Sequence, residues 1–176
     1  FARFISEFRH DDLNIHLDIY TKDTENQYVR KIERLRQVRV RQAIGHDEVP
    51  ILMQEYDLLL LPLDFTESGL RFSRLSMPTK ATEYMISGVP MLVFAPSNTA
   101  ISRFCAAHAC GHCISSENFN EIAEGLSQII DDSHYRQALA ERAVVLARQL
   151  FDAENVRNEF KDLLINLVNS HIPKSD

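Results

Sequence analysis

The sequence predicts an α/β fold: a doubly wound parallel sheet with helices on both faces and a helical C-terminal run. Three observations carry that expectation. Segments with strand and helix periodicity alternate along the first two thirds of the chain. Two of the strand segments, 57–63 and 91–95, are apolar runs without polar alternation, the pattern of strands covered on both faces. The spacing between successive strands suits helical crossovers, which join parallel strands in the right-handed sense.

Taken in order, Phe1, Phe4, Ile5 and Phe8 fall at helical spacing, and 13–20 then alternates as a strand. Tyr28, Ile32 and Leu35 share one face of a charged helix over 26–35, and 38–44 alternates again before Gly45-His46-Asp47. A helix over 47–56 leads to the buried strand at 57–63. A loop of about 14 residues, 64–77, follows. Pro78 then opens a ten-residue helix closed by Gly88, with proline at the first helical position and glycine just past the last. Val89-Pro90 connects to the strand 91–95, a helix over 101–109 stops at Gly111, and 112–115 is a short strand. Residues 118–130, 133–150 and 153–172 are helical, and no internal repeat is visible.

The chain has 176 residues, with 19 Lys+Arg against 25 Asp+Glu, a net charge of −6. At 45% hydrophobic and 25% charged, with 5 Gly and 6 Pro, it has the composition of a packed domain and not of a disordered or collagen-like chain. The acidic balance argues against nucleic acid, whose backbone requires a basic face. No run approaches the ~18 apolar residues of a membrane-spanning helix, and no export signal opens the sequence. Three Cys within nine residues make a poor disulfide framework and fit a reducing, cytoplasmic compartment. Cys105, His108, Cys110, His112 and Cys113 could suggest a metal, but zinc sites bring separated ligand pairs, whereas these residues read as small side chains at a helix-to-strand turn; no metal site is expected. His10, His16 and His134 read as surface or packing residues. Neither G-x-G-x-x-G, a P-loop nor G-x-S-x-G is present.

In doubly wound sheets ligands bind beyond the carboxyl ends of the strands. The 64–77 loop lies there, long enough to suspect function, and it carries Arg71, Arg74, hydroxyls and a glycine. The first amides of the following helix, near Thr79 and Lys80, lack intrahelical acceptors and with the helix dipole form an anion site. Lys80 in the first turn opposes that dipole unless an anion joins it. Glu83, on the same side, is placed to accept hydrogen bonds from the two hydroxyls of a ribose. The spacing equally describes an ordinary surface pair worth a few tenths of a kcal/mol.

The string Pro78-Thr79-Lys80-Ala81-Thr82-Glu83-Tyr84-Met85-Ile86-Ser87-Gly88-Val89-Pro90 resembles the P-x-K-x-x-E-Y-M-x-x-G-x-P segment of GT-B glycosyltransferases related to glycosyltransferase family 4 (group 1). Gly45-His46, the buried strand 57–62 and the helical end occur in the family's order, so the resemblance spans nearly the whole chain. It implies a single Rossmann-like donor-binding domain over 1–172 with a tail at 173–176. The resemblance also implies a fragment that lacks its first strand and the N-terminal acceptor domain. It implies that Glu83 binds the ribose, that Lys80, Thr79 and Pro78 contact the diphosphate, and that Gly45-His46 lies beside the nucleobase. Arg71 and Arg74 stand in for the family's unlocated cations, with Lys80 and Arg74 as stabilisers of the leaving diphosphate. Catalytic residues are not assigned, and Leu75 occupies the place of the family's second glutamate. The function implied is hexosyl-type transfer from a nucleotide-diphosphate sugar in glycan or polysaccharide assembly. The resemblance implies no further cofactor and a fragment inactive on its own, and it leaves peripheral membrane association open to the full protein. Two other readings stand beside it: a non-catalytic interaction module with a degenerate nucleotide site, and a sugar-nucleotide epimerase-like enzyme.

Overall fold

The computed structural model describes residues 1–11 and 13–171. The elements run α1 (Ala2–Glu7), β1 (Leu17–Thr21), α2 (Gln27–Glu33), β2 (Val38–Gln42), a 3₁₀ turn (His46–Glu48), α3 (Val49–Met53), β3 (Leu59–Pro62), α4 (Glu67–Ser73) and α5 (Thr79–Ser87). They continue with β4 (Met91–Phe94), α6 (Ala100–His108), β5 (His112–Ile114), α7 (Phe119–Asp131), α8 (Ser133–Leu150) and α9 (Ala153–His171). The expected end of the last helix at 172 and the tail 173–176 lie outside the described residues.

Among the described residues all strand pairs are parallel, and they form two sheets. β1 pairs with β2, while β4 lies between β3 and β5. The run at 91–95 behaves as expected, since every residue of β4 is buried with helices covering both of its faces, whereas in β3 only Leu59 and Leu61 are buried and Pro62 is exposed. On one face Met85, Val93, Ile101 and Ala143 share a core, which joins α5, α6 and α8 to the sheet. On the other, Phe4, Phe8, Leu92, Phe94, Ile122 and Leu126 join α1 and α7 to it. Polar contacts join the first sheet to the segment between α3 and β3. The buried Asp18 carboxylate accepts from Arg41 Nε at 2.8 Å and from the Tyr56 hydroxyl at 3.0 Å, and Tyr56 also bonds Tyr20 at 2.9 Å. Burial and these two partners raise the Tyr56 pKa well above the ordinary phenol range.

Several boundaries differ from the sequence expectation for identifiable reasons. Strand β1 begins at Leu17 and not at 13, because the preceding residues turn through an isolated bridge between His10 and Leu13. Pro78 is the residue before α5, in extended conformation, and the helix starts at Thr79. Gly88 does close α5, at φ 75°, a left-handed conformation that is free of strain only for glycine. Helix α6 is stopped by Ala109, at φ 48°, and not by Gly111. His10 is partnered: its ring bonds Asp131 at 2.6 Å and Ser127 at 3.3 Å, which pins the segment after α1 to α7.

Buried His112 on β5 shares a 3.1 Å hydrogen bond between Nδ1 and the Tyr135 hydroxyl. Burial holds its pKa below the ordinary 6.5, so the folded state keeps a neutral ring where the unfolded chain takes up a proton. Stability therefore falls as pH drops below 6.5. Urea unfolding of wild type and His112→Asn between neutral and mildly acid pH checks this: the variant is expected to lose less stability over the interval.

Candidate functional site

The segment expected as a long loop contains a helix. Thr66 caps α4 by accepting from the Gly69 amide through Oγ1 at 3.2 Å. Asp64 holds the cap in turn, accepting from the Thr66 amide and hydroxyl at 2.8 Å each. Those bonds keep the Asp64 carboxyl below the ordinary range. Glu67 in the first turn and Arg71 in the last complement the helix dipole. Gly69 allows the closure, since a Cβ there would lie 2.4 Å from the Asp64 Cβ. Gly69→Ala is expected to cost about 1–3 kcal/mol through that overlap, read as a lower urea midpoint and, if α4 shapes the site, as weaker ligand binding.

Helix α5 links β3 to β4, its parallel neighbour, so its first turn lies at the carboxyl end of β3 and its last turn at the start of β4. Ala81 and Met85 face the core and are fully buried, which fixes the axis of the helix. No side chain caps its N-terminus and no acidic residue lies in its first turn. The Thr79 and Lys80 amides thus face the crevice end of the sheet without an intrahelical acceptor. Exposed Lys80 places Nζ 3.5 Å from Oε2 of half-buried Glu83. Burial, and then the Glu83 charge, raise the pKa of the neighbouring Tyr84 hydroxyl.

The remaining residues expected at the site distribute as follows. Arg71 is exposed on α4, and Arg74 is its C-cap, with a carbonyl that accepts from Arg103 Nη2 at 2.7 Å. Neither guanidinium has an ion pair among the described residues. Gly45 and His46 are exposed at the 3₁₀ turn beyond β2, where the Gly45 amide donates to Glu48 at 2.9 Å. Helix α3 touches both that turn and α5, and so connects the two groups of residues. Leu75, at the place of the second glutamate, is 87% exposed. Sequence reasoning missed the Asp64-Thr66-Gly69 lock and the Arg103 tie. Asp-x-Thr followed by glycine three residues on was the available signal for the first.

A cavity of about 710 Å³ opens at the other end of the sheet, lined by Tyr56, Asp57, Val89, Pro90, Ala140 and Val144 among others. The uncapped first turn of α5 lies away from this cavity, which opens at the amino ends of β3 and β4. Among the described residues no cluster of His, Cys, Asp or Glu could hold a metal ion, and no helix is long and apolar enough to cross a membrane.

A family model described as Glycosyl transferases group 1 matches residues 1–132, which include every strand and the whole of α5. The chain belongs to the group 1 glycosyl transferases. Solved structures agree on the fold of this group 1 member. HepE from Anabaena, solved with UDP-glucose, matches at TM-score 0.68 and 15% identity, over 94% of this chain and 44% of its own. Sucrose-phosphate synthase from Thermosynechococcus elongatus matches at 0.61 and 16%, over 81% and 33%. WaaG, a glycosyltransferase involved in lipopolysaccharide biosynthesis, matches at 0.58 and 21%, over 83% and 37%. The group 1 chain thus spans less than half the length of each of these proteins. No curated protein sequence matches it.

Proposed function

We propose that this group 1 chain is the donor-binding half of a glycosyltransferase that moves a hexose from a nucleotide diphosphate to an acceptor in glycan assembly. The observation that carries the reading is the first turn of α5, an uncapped helix N-terminus with a lysine and no carboxylate, at the carboxyl end of a parallel strand. The diphosphate binds the Thr79 and Lys80 amides and the Lys80 ammonium. Glu83 takes the ribose hydroxyls, and Gly45-His46 faces the base. On donor binding Lys80 exchanges its 3.5 Å contact with Glu83 for the phosphate, which frees the carboxylate for the ribose. The helix dipole and fixed amides then stabilise the charge that develops on the departing diphosphate, with Arg71 and Arg74 as further cations. The solved structure of HepE with UDP-glucose supports a nucleotide sugar as the ligand class.

The acceptor side belongs to a second domain in a longer chain. The greater length of the similar structures supports that division. The donor half alone then binds nucleotide without transferring sugar. A second reading, an interaction module with a degenerate site, draws support from exposed Leu75 at the second-glutamate place.

Thermal-shift titration with UDP, GDP and ADP tests the proposal. Stabilisation by one nucleoside diphosphate at submillimolar concentration supports a donor site, whereas the absence of a response to all three supports the interaction module.

A further inference from the structure

A strongly basic patch lies outside the nucleotide site. Residues 30–41 hold six Lys and Arg against the single Glu33, a local charge of +5, whereas the rest of the chain carries −11. Arg30 and Lys31 come from α2, Arg34 ends that helix, Arg36 lies in the turn that follows, and Arg39 and Arg41 come from β2, which packs beside α2. All six are exposed. At ~100° per residue, Lys31, Arg34 and Arg30 fall within an arc of about 100° around the helix, and Arg39 and Arg41 share one face of the strand. Arg9 joins them from another part of the chain, donating through Nη1 to Gln37 of the same turn at 3.1 Å. Among the described residues Arg41 alone of these cations has an ion pair, with Asp18.

We propose that this patch docks the chain on an anionic lipid bilayer, independently of what the nucleotide site binds. Long, unpaired cations gain attraction from a negatively charged headgroup layer without giving up a partner in the protein. They are spread over a helix, a turn and a strand that pairs on one side only among the described residues, so they present an extended surface to an extended one. A single small anion would need them gathered around it. Tyr28 stands 65% exposed on α2, with Lys31 Nζ 5.8 Å from its ring centre, and an aromatic ring with a hydroxyl beside a cation suits the level of the headgroups. The acidic remainder of the chain does not cancel the attraction, because screening limits each charge to about 8 Å at physiological salt and a bilayer touching this edge feels the local charge. Asp23 and Glu25 precede α2, at the opposite end from Arg34 and Arg36. A nucleic acid offers the same phosphate chemistry, but single strands are held by stacking on successive aromatic rings, and Tyr28 is the one Phe, Tyr or Trp in residues 21–55.

Co-sedimentation with vesicles tests this, using phosphatidylcholine alone and phosphatidylcholine with about one third phosphatidylglycerol, at low salt and near ~1 M, where screening acts within ~3 Å. The chain is expected to bind the anionic vesicles at low salt, to bind the neutral ones hardly at all, and to be released at high salt. Arg30→Gln, Arg34→Gln, Arg36→Gln and Arg39→Gln combined are expected to weaken binding by about a hundredfold or more, at roughly fivefold per cation. Lys at the same four positions is expected to preserve it. The thermal shift produced by a nucleoside diphosphate stays the same in both variants, so failure of this proposal and failure of the donor site are read separately. No binding to anionic vesicles, equal binding to neutral ones, or unchanged binding of the Gln variant would overturn the proposal. So would tighter binding to a single-stranded RNA oligonucleotide than to the vesicles, lost in the same variant, which would assign the patch to nucleic acid. Should the Gln variant fold poorly, as judged by its urea midpoint, the Lys variant and the salt dependence of the wild type decide.

Discussion

Lys80→Ala weakens nucleoside-diphosphate binding by about ten- to a hundredfold, the loss of a charge-assisted contact worth ~1.5–3 kcal/mol. Glu83→Ala produces a loss of similar size through the ribose. The two effects differ in ligand dependence: Lys80→Ala hardly alters the weak binding of a nucleoside without phosphates, whereas Glu83→Ala still affects it. Neither change unsettles the fold. Lys80 is 61% and Glu83 36% exposed in their side chains, and their mutual ion pair contributes a few tenths of a kcal/mol at most. Calorimetric titration with the nucleotide selected by thermal shift measures both losses, and Glu141→Ala, at the cavity on the opposite end of the sheet, serves as the control expected to change nothing.

Met85→Ala has the largest expected effect on stability. The side chain is fully buried in the core that joins α5 to β4 and α8, so truncation leaves a void that its neighbours fill only in part. The expected cost is about 2–5 kcal/mol, read from the shift in urea midpoint at unchanged slope. Because Met85 also fixes the axis of the helix that carries Thr79, Lys80 and Glu83, the variant is expected to bind nucleotide more weakly even where it remains folded. A variant as stable as wild type would show that α5 is held by other contacts.

Legibility in the sequence followed the physical range of each signal. Strands β3 and β4 were readable because uninterrupted apolar runs have few alternatives, and α8 because Asp132 caps it visibly, accepting from the Tyr135 amide at 2.8 Å. The position of α5 was readable from Pro78 and Gly88, although the proline precedes the helix and does not begin it. Helix α4 was not. It has seven residues, exposes Phe72 at 80%, and is held by Asp64 and Thr66 through side-chain bonds to backbone, so it lacks an apolar stripe and its hydroxyls and glycine read as a loop. The end of α6 was misread because Ala109 adopts the left-handed conformation that composition assigns to glycine.

At the candidate site the residue types were legible and their mutual placement was not. Lys80 and Glu83 are neighbours by helical spacing, and the structure pairs them. The relation of Gly45-His46 to α5 runs through α3, a tertiary contact that no local pattern encodes. The 3.9 Å approach of the Cys105 and Cys110 sulfurs has the same character: their closeness in sequence was visible, but the contact depends on the left-handed turn at Ala109 that ends α6.

Amide chemical-shift mapping during titration with the preferred nucleoside diphosphate tests the central claim most directly. The account predicts saturable shifts at Thr79, Lys80 and Glu83, with smaller ones at Gly45 and His46. Shifts confined to Val89, Ala140 and Val144, around the cavity at the opposite end of the sheet, would contradict it.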